Sequence, residues 1–155
     1  MSSEHLTQLL AQETELQFAQ FNNETAWKLG CEIKQETEKL SESVAIEIYA
    51  FEQVLFSYAM LKTSKDHQDW ARRKRQSVLC YGHSSYYIGQ YNATKQREFE
   101  SQAHIDAREY CSHGGSFPIR IKNCGIVGAI TVSGLPQEDD HNLVVNTLRE
   151  YFAED

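Results

Sequence analysis

HGGSFPIRIKNCGIVGAITVSGLPQEDDH (residues 113–141) holds five of the chain's eight glycines and both of its prolines. Phe117, Ile119 and Ile121 alternate with Arg120 and Lys122, the period-two pattern of a strand that turns one face to a core. Asn123-Cys124-Gly125 reads as a tight turn, and residues 126–132 as a second, more continuously apolar strand. Pro136 suits the first turn of a helix, whose positive end the acids Glu138, Asp139 and Asp140 complement. Val144, Leu148, Tyr151 and Phe152 then fall on one side of that helix. The stretch therefore predicts a hairpin that runs into a C-terminal helix.

A second hairpin is predicted upstream. Residues 44–49 and 54–58 are β-branched and aromatic runs a few residues apart. Helical periodicity surrounds them. Leu6, Leu9, Leu10, Glu13 and Leu16 recur at helical spacing near the N-terminus. Asn22 or Asn23 offers a cap for a second helix, with Phe21 placed to pack back on its first turn. That helix carries Ala26, Trp27, Gly30, Ile33, Thr37 and Leu40 on its inner side. From about Asp66, Trp70, Lys74, Ser77, Val78, Tyr81, Ser85 and Ile88 make one long stripe, expected to kink or end near Gly89. A shorter helix is expected over residues 96–103. The pattern over residues 104–112 fits no element.

Two hairpins separated by helices imply an antiparallel sheet packed by helices, an α+β architecture. The 155 residues suit one domain spanning 1–155, long enough to bury a core without covalent staples. The net charge of −7 opposes a broad nucleic-acid or anionic-membrane footprint. No apolar run reaches the length of a membrane span, and the first residues lack the pattern of a signal peptide, so a cytoplasmic location is expected. Cys31, Cys80, Cys111 and Cys124 form no CxxC pair and have no histidine at zinc-finger spacing, so free thiols are expected.

Several clusters invite a chemical reading. His113-Gly114-Gly115-Ser116 looks like a phosphate loop, yet it runs into a strand where a phosphate cradle needs a helix start. In Glu138-Asp139-Asp140-His141 only Glu138 and His141 are spaced to share a helix face, and a solvated helix end is the expected role. His83 lies among Tyr81, Tyr86 and Tyr87. It suits either a haem ligand or proton shuttle, or a hydrogen-bonded helix residue. Cys111 and His113 are near in sequence, which alone makes no catalytic dyad. The run Arg72-Arg73-Lys74-Arg75 fans around a helix, with only Arg72 and Arg75 on one face. It fits solvated pairing with acids, a subunit contact, or the rim of an anion site.

The segments DWARRKRQSVLCYGHSSYYIG and HGGSFPIRIKNCGIVGAITVSGLPQEDDH together resemble a bacterial and fungal family of uncharacterised proteins. That family lies within the haem-degrading-domain (GlcG-like) superfamily. The likeness to it runs from about Leu9 to Phe152, and Gly114, Gly115, Pro118, Gly125, Gly128, Ser133, Gly134, Glu138 and Asp139 fit the wider pattern. Phe117 intervenes before Pro118, and Leu135-Pro136 stands where that pattern has a second glycine. The resemblance implies a profilin-like α+β domain that assembles into a homo-oligomer. It also implies a small-molecule ligand such as haem or a corrinoid. The candidate ligand-binding residues are His113, Gly114, Gly115, His83, Arg72 and Arg75. The alternative is a non-enzymatic oligomeric scaffold or adaptor, for which Tyr81, Tyr86, Tyr87 and Tyr91 offer an aromatic surface.

Overall fold

The computed structural model describes residues 3–154. The elements run α1 (Ser3–Glu15), α2 (Asn23–Lys39), β1 (Ala45–Ala50), β2 (Gln53–Ala59), α3 (Lys65–Tyr81) and α4 (Ser85–Thr94). A single 3-10 turn (Phe99–Ser101) precedes β3 (Ser116–Ile121), β4 (Gly125–Ser133) and α5 (Gln137–Ala153). The strands form one antiparallel sheet in the order β2-β1-β4-β3, so both expected hairpins exist and join through β1 and β4.

The first hairpin turns through Phe51 and Glu52, at φ of 56° and 65°. Two consecutive left-handed residues give the turn whose twist matches the flanking strands. The second turns through Asn123 at φ 63°, with the Cys124 amide donating to the Ile121 carbonyl at 2.9 Å.

Strand alternation gives the sheet two unlike faces. Ile46, Ile48, Ile130, Val132, Phe117 and Ile119 point one way and are all buried in the core with α2 and α5. On the other face, toward α3, the cross-strand rows are Ala45–Ser133, Glu47–Thr131–Ser116 and Tyr49–Ala129–Pro118. Both outer strands differ as well. The backbone at Phe18 pairs with β3 at Ile121, whereas β2 is an edge strand whose Val54 and Tyr58 are exposed.

Asn22 caps α2 as expected. Its side chain accepts from the Glu24 and Thr25 amides, and Thr25 Oγ1 accepts the Asn22 amide. Phe18 and Phe21 meet edge to face just before it. The inner side of α2 is Ala26, Leu29, Gly30, Ile33 and Thr37. Trp27 and Leu40 instead lie largely outside, 62% and 57% exposed, and Trp27 meets Phe56 of β2 edge to face at 5.6 Å.

The long helical stripe is two helices. Gly82 adopts φ 77° and closes α3, its amide donating to the Val78 carbonyl, a termination that favours glycine. Ser84 then caps α4, accepting from the Tyr87 amide at 3.1 Å. Gly89, the expected break, sits inside α4, where an added Cβ would meet the Ser112 carbonyl. Of the helix expected at residues 96–103, only the 3-10 turn forms.

Candidate functional site

Among the six candidate site residues the structure separates three places. His113, Gly114 and Gly115 lie over the start of α5, His83 lies at the junction of α3 and α4, and Arg72 and Arg75 lie between α3 and the first hairpin.

At the first place, α3 lays Lys74 across the polar face of the sheet. Its ammonium donates to Asp140 Oδ2 at 3.0 Å and to the Val132 carbonyl at 3.2 Å, with both side chains almost wholly buried. Asp140 also accepts the Gly134 and Leu135 amides. Burial pushes the Asp140 carboxyl up, while Lys74 and those two amides pull it down. The expected solvated helix end is therefore a buried ion pair at this residue. Gly114 and Gly115 are themselves buried, and their backbone passes so close that side chains would collide. A Cβ at Gly114 would meet the Gln137 carbonyl and the Tyr86 ring, and one at Gly115 (φ 138°) the Val132 carbonyl and Lys74. His113 is exposed and stacks on Trp70, centroids 5.0 Å apart, while the Arg73 guanidinium sits 4.1 Å from the same indole ring. The small cavity here, about 230 Å³, is floored by the Lys74–Asp140 pair.

His141, the next residue of α5, is buried beside Tyr86 with ring centroids 5.1 Å apart. Its Nε2 meets Gln12 Oε1 at 2.7 Å, and its Nδ1 has no hydrogen-bond partner among the described residues. Burial drives its pKa down to about 4, so the ring is neutral near pH 7. Tyr86, expected at the surface, is buried, and it donates to Glu138 Oε2 at 3.1 Å. Burial and the Glu138 carboxylate push its phenol up to about 12. Cys111 is buried, and burial pushes its thiol up, which opposes a nucleophilic role.

The basic run is spent on pairing. Arg72 donates to Asp69 and Glu109, and Arg73 to Asp69. Arg75 donates to Glu47 at 2.8 Å and lies 4.3 Å from the Tyr49 ring centre.

The second place is a cleft of about 390 Å³. Its walls are Tyr81, Tyr87, Tyr91 and Phe99, with His83, His104 and Arg97 as its basic groups. Among the described residues no carboxylate lines it, in a chain with 22 acidic residues. His83 is held from behind. Its Nδ1 lies 3.0 Å from Oε1 of Glu13, a carboxylate only 4% exposed. Glu13 in turn accepts the Ser84 amide at 3.0 Å and the Arg120 guanidinium at 3.2 Å, and Arg120 also donates to the Gly82 carbonyl. In the neutral ring, a carboxylate on Nδ1 fixes that nitrogen as the protonated one, which leaves Nε2 as the lone-pair donor. That nitrogen has no partner among the described residues. Glu13 is the part that sequence reasoning did not connect to His83. Its signal was an acid at a core-facing position of the N-terminal helix stripe.

An antiparallel sheet in this strand order, packed by helices on both faces, defines an α+β domain of the HbpS-like fold. The chain belongs to the family described as haem degrading protein HbpS-like, whose model matches residues 21–149. A UPF0303 protein of Psychromonas ingrahamii is 64% identical over 145 residues, covering 94% of this chain and 91% of that one. The crystal structure of Ybr137w protein superposes with a TM-score of 0.86 at 29% identity, over 96% of this chain and 88% of that one. The PduOC:Heme complex shares the fold, with a TM-score of 0.69 at 12% identity over 85% of this chain and 94% of that one. Among the described residues no helix is long and apolar enough to cross a membrane.

Proposed function

We propose that this chain binds a planar, carboxylate-bearing aromatic ligand, haem or a related tetrapyrrole, in the His83 cleft. The observation that carries the reading is the composition of that cleft: aromatic walls, the Arg97 guanidinium with no acid beside it among the described lining residues, and a histidine backed by a buried carboxylate. The volume lies in the range of ligand-sized clefts. Stacking on tyrosine suits a flat ring, and Arg97 suits a carboxylate. Bound haem would bring an iron that the Nε2 lone pair of a neutral His83 would hold. Membership of an HbpS-like family and the haem complex of a protein with the same fold support the choice of tetrapyrrole.

Titration with haemin tests it. Wild type is expected to give a saturable Soret shift that His83→Ala removes and His113→Ala leaves in place. No saturable shift, or one unchanged by His83→Ala, overturns the reading; loss in His113→Ala alone moves the ligand to the pocket over Lys74–Asp140.

A second reading, a cytoplasmic homo-oligomeric scaffold, draws on the edge strand β2. Its sequence Gln53–Ala59 is free of charge, and Val54, Tyr58 and the neighbouring Trp27 are 49%, 42% and 62% exposed. Uncharged edges of this kind template pairing with another strand. Sedimentation is expected to give a mass above that of one 17.8 kDa chain, and a monomer at micromolar concentration removes this reading.

A further inference from the structure

Helix α1 is fastened in an unusual way. Leu9 is buried on its inner side, yet the position one turn later is Glu13, 3% exposed. A buried carboxylate is costly unless each oxygen finds donors. Glu13 finds them on three different parts of the chain: His83 after α3, the Ser84 amide at the start of α4, and Arg120 on β3. Gln12, beside it, meets the buried His141 of α5. The residues that dock α1 and the residue that orients His83 are thus one cluster.

We propose that Glu13 is a positioning residue for the His83 cleft, and that α1 docking and ligand binding through His83 Nε2 are coupled through it. The inference rests on the cleft reading above. With α1 docked, the Glu13 carboxylate selects the tautomer that carries its proton on Nδ1 and directs Nε2 to the cleft. With α1 undocked, His83 loses its orienting acceptor, the Ser84 amide loses its own, and Arg120 keeps only the Gly82 carbonyl. A ligand held by Nε2 therefore favours the docked helix, and the docked helix favours the ligand by the same factor.

Removing a carboxylate behind a ligating histidine weakens ligation by roughly 10- to 100-fold, and that is the loss expected for haemin in Glu13→Ala. Reciprocity then predicts that saturating haemin slows amide hydrogen exchange in α1 of wild type by up to the same factor. Nitrogen NMR of His83 in the ligand-free protein is expected to show the Nδ1-protonated tautomer in wild type and its loss in Glu13→Ala. Glu13→Gln, which keeps an acceptor for Nδ1, should retain much of it. The exchange measurement and the wild-type tautomer need no variant, so misfolding of Glu13→Ala leaves both in force. A wild-type His83 protonated on Nε2 overturns the positioning role. Haemin binding with α1 exchange unchanged overturns the coupling alone. Absence of haemin binding by wild type overturns the cleft reading and the coupling with it, while the tautomer comparison still decides the role of Glu13.

Discussion

The two faces of the sheet are built on opposite principles. Toward α2 and α5 lie Ile46, Ile48, Phe117, Ile119, Ile130 and Val132, stabilised by non-directional removal of apolar surface from water. Toward α3 lie Ser116, Thr131 and Ser133, equally buried, with Lys74 and Ser77 facing them from the helix. There every polar atom needs a partner. Ser116 and Thr131 share a hydrogen bond of 2.8 Å, Ser85 Oγ accepts the Ser116 amide, and Ser77 Oγ accepts the Cys111 amide. The difference teaches where this fold tolerates change. An apolar face degrades in proportion to the volume removed, whereas a polar face fails when one partner is taken from a pair.

The largest effects should come from each face's centre. Phe117→Ala is expected to cost about 3–5 kcal/mol in denaturant unfolding, with no second substitution nearby that restores it. Lys74→Met should cost a similar amount, about 3–5 kcal/mol, by leaving Asp140 buried without its cation. Lys74→Met combined with Asp140→Asn should recover part of that loss. If the double variant is no better than the single, the polar face is not organised around the pair.

Next comes pH. His141 has a folded pKa near 4 against an ordinary 6.5, so the unfolded chain binds the proton more readily. Stability at neutral pH is then retained above about 6.5 and falls as the pH drops toward 4, by roughly 3 kcal/mol. The difference between the wild-type and His141→Gln pH curves isolates this step. A wild-type curve parallel to that of His141→Gln over this window would exclude it.

The smallest expected effect separates hydrogen bonding from volume. Ser116→Ala leaves the Thr131 hydroxyl without its partner and should cost about 1–2 kcal/mol. Ser116→Ala with Thr131→Val, which removes both polar ends, should be closer to neutral in the same unfolding measurement.

The fold was legible wherever local chemistry decides it. Alternation gave both hairpins, Asn22 gave the start of α2, and the Asn-Cys-Gly turn lies where the sequence puts it. What escaped was pairing between distant segments. Lys74 sits in a basic run and Asp140 in an acidic one, so each reads as a surface charge, and only the fold brings them to 3.0 Å. The same holds for Glu13 and His83. The boundary at Gly82 was missed because the stripe of Tyr81, Ser85 and Ile88 continues in phase across it, while the left-handed backbone at Gly82 leaves no mark in the periodicity. Trp27 misled because it packs on Phe56 of the edge strand β2, where one side of its ring stays in solvent.

The strand order also sets a timetable. Each hairpin closes over a turn of a few residues, but the seam between them pairs Ala45 with Ser133, with α3, α4 and the second turn all intervening. Closing so long a loop is entropically slow compared with either hairpin. On a ribosome the first hairpin would emerge long before its neighbour in the sheet, exposing Ile46 and Ile48 until β4 is made. This order predicts that zipping of β1 to β4 limits the rate of folding, so substitutions along Ile48 and Ile130 should slow refolding more than substitutions at either turn.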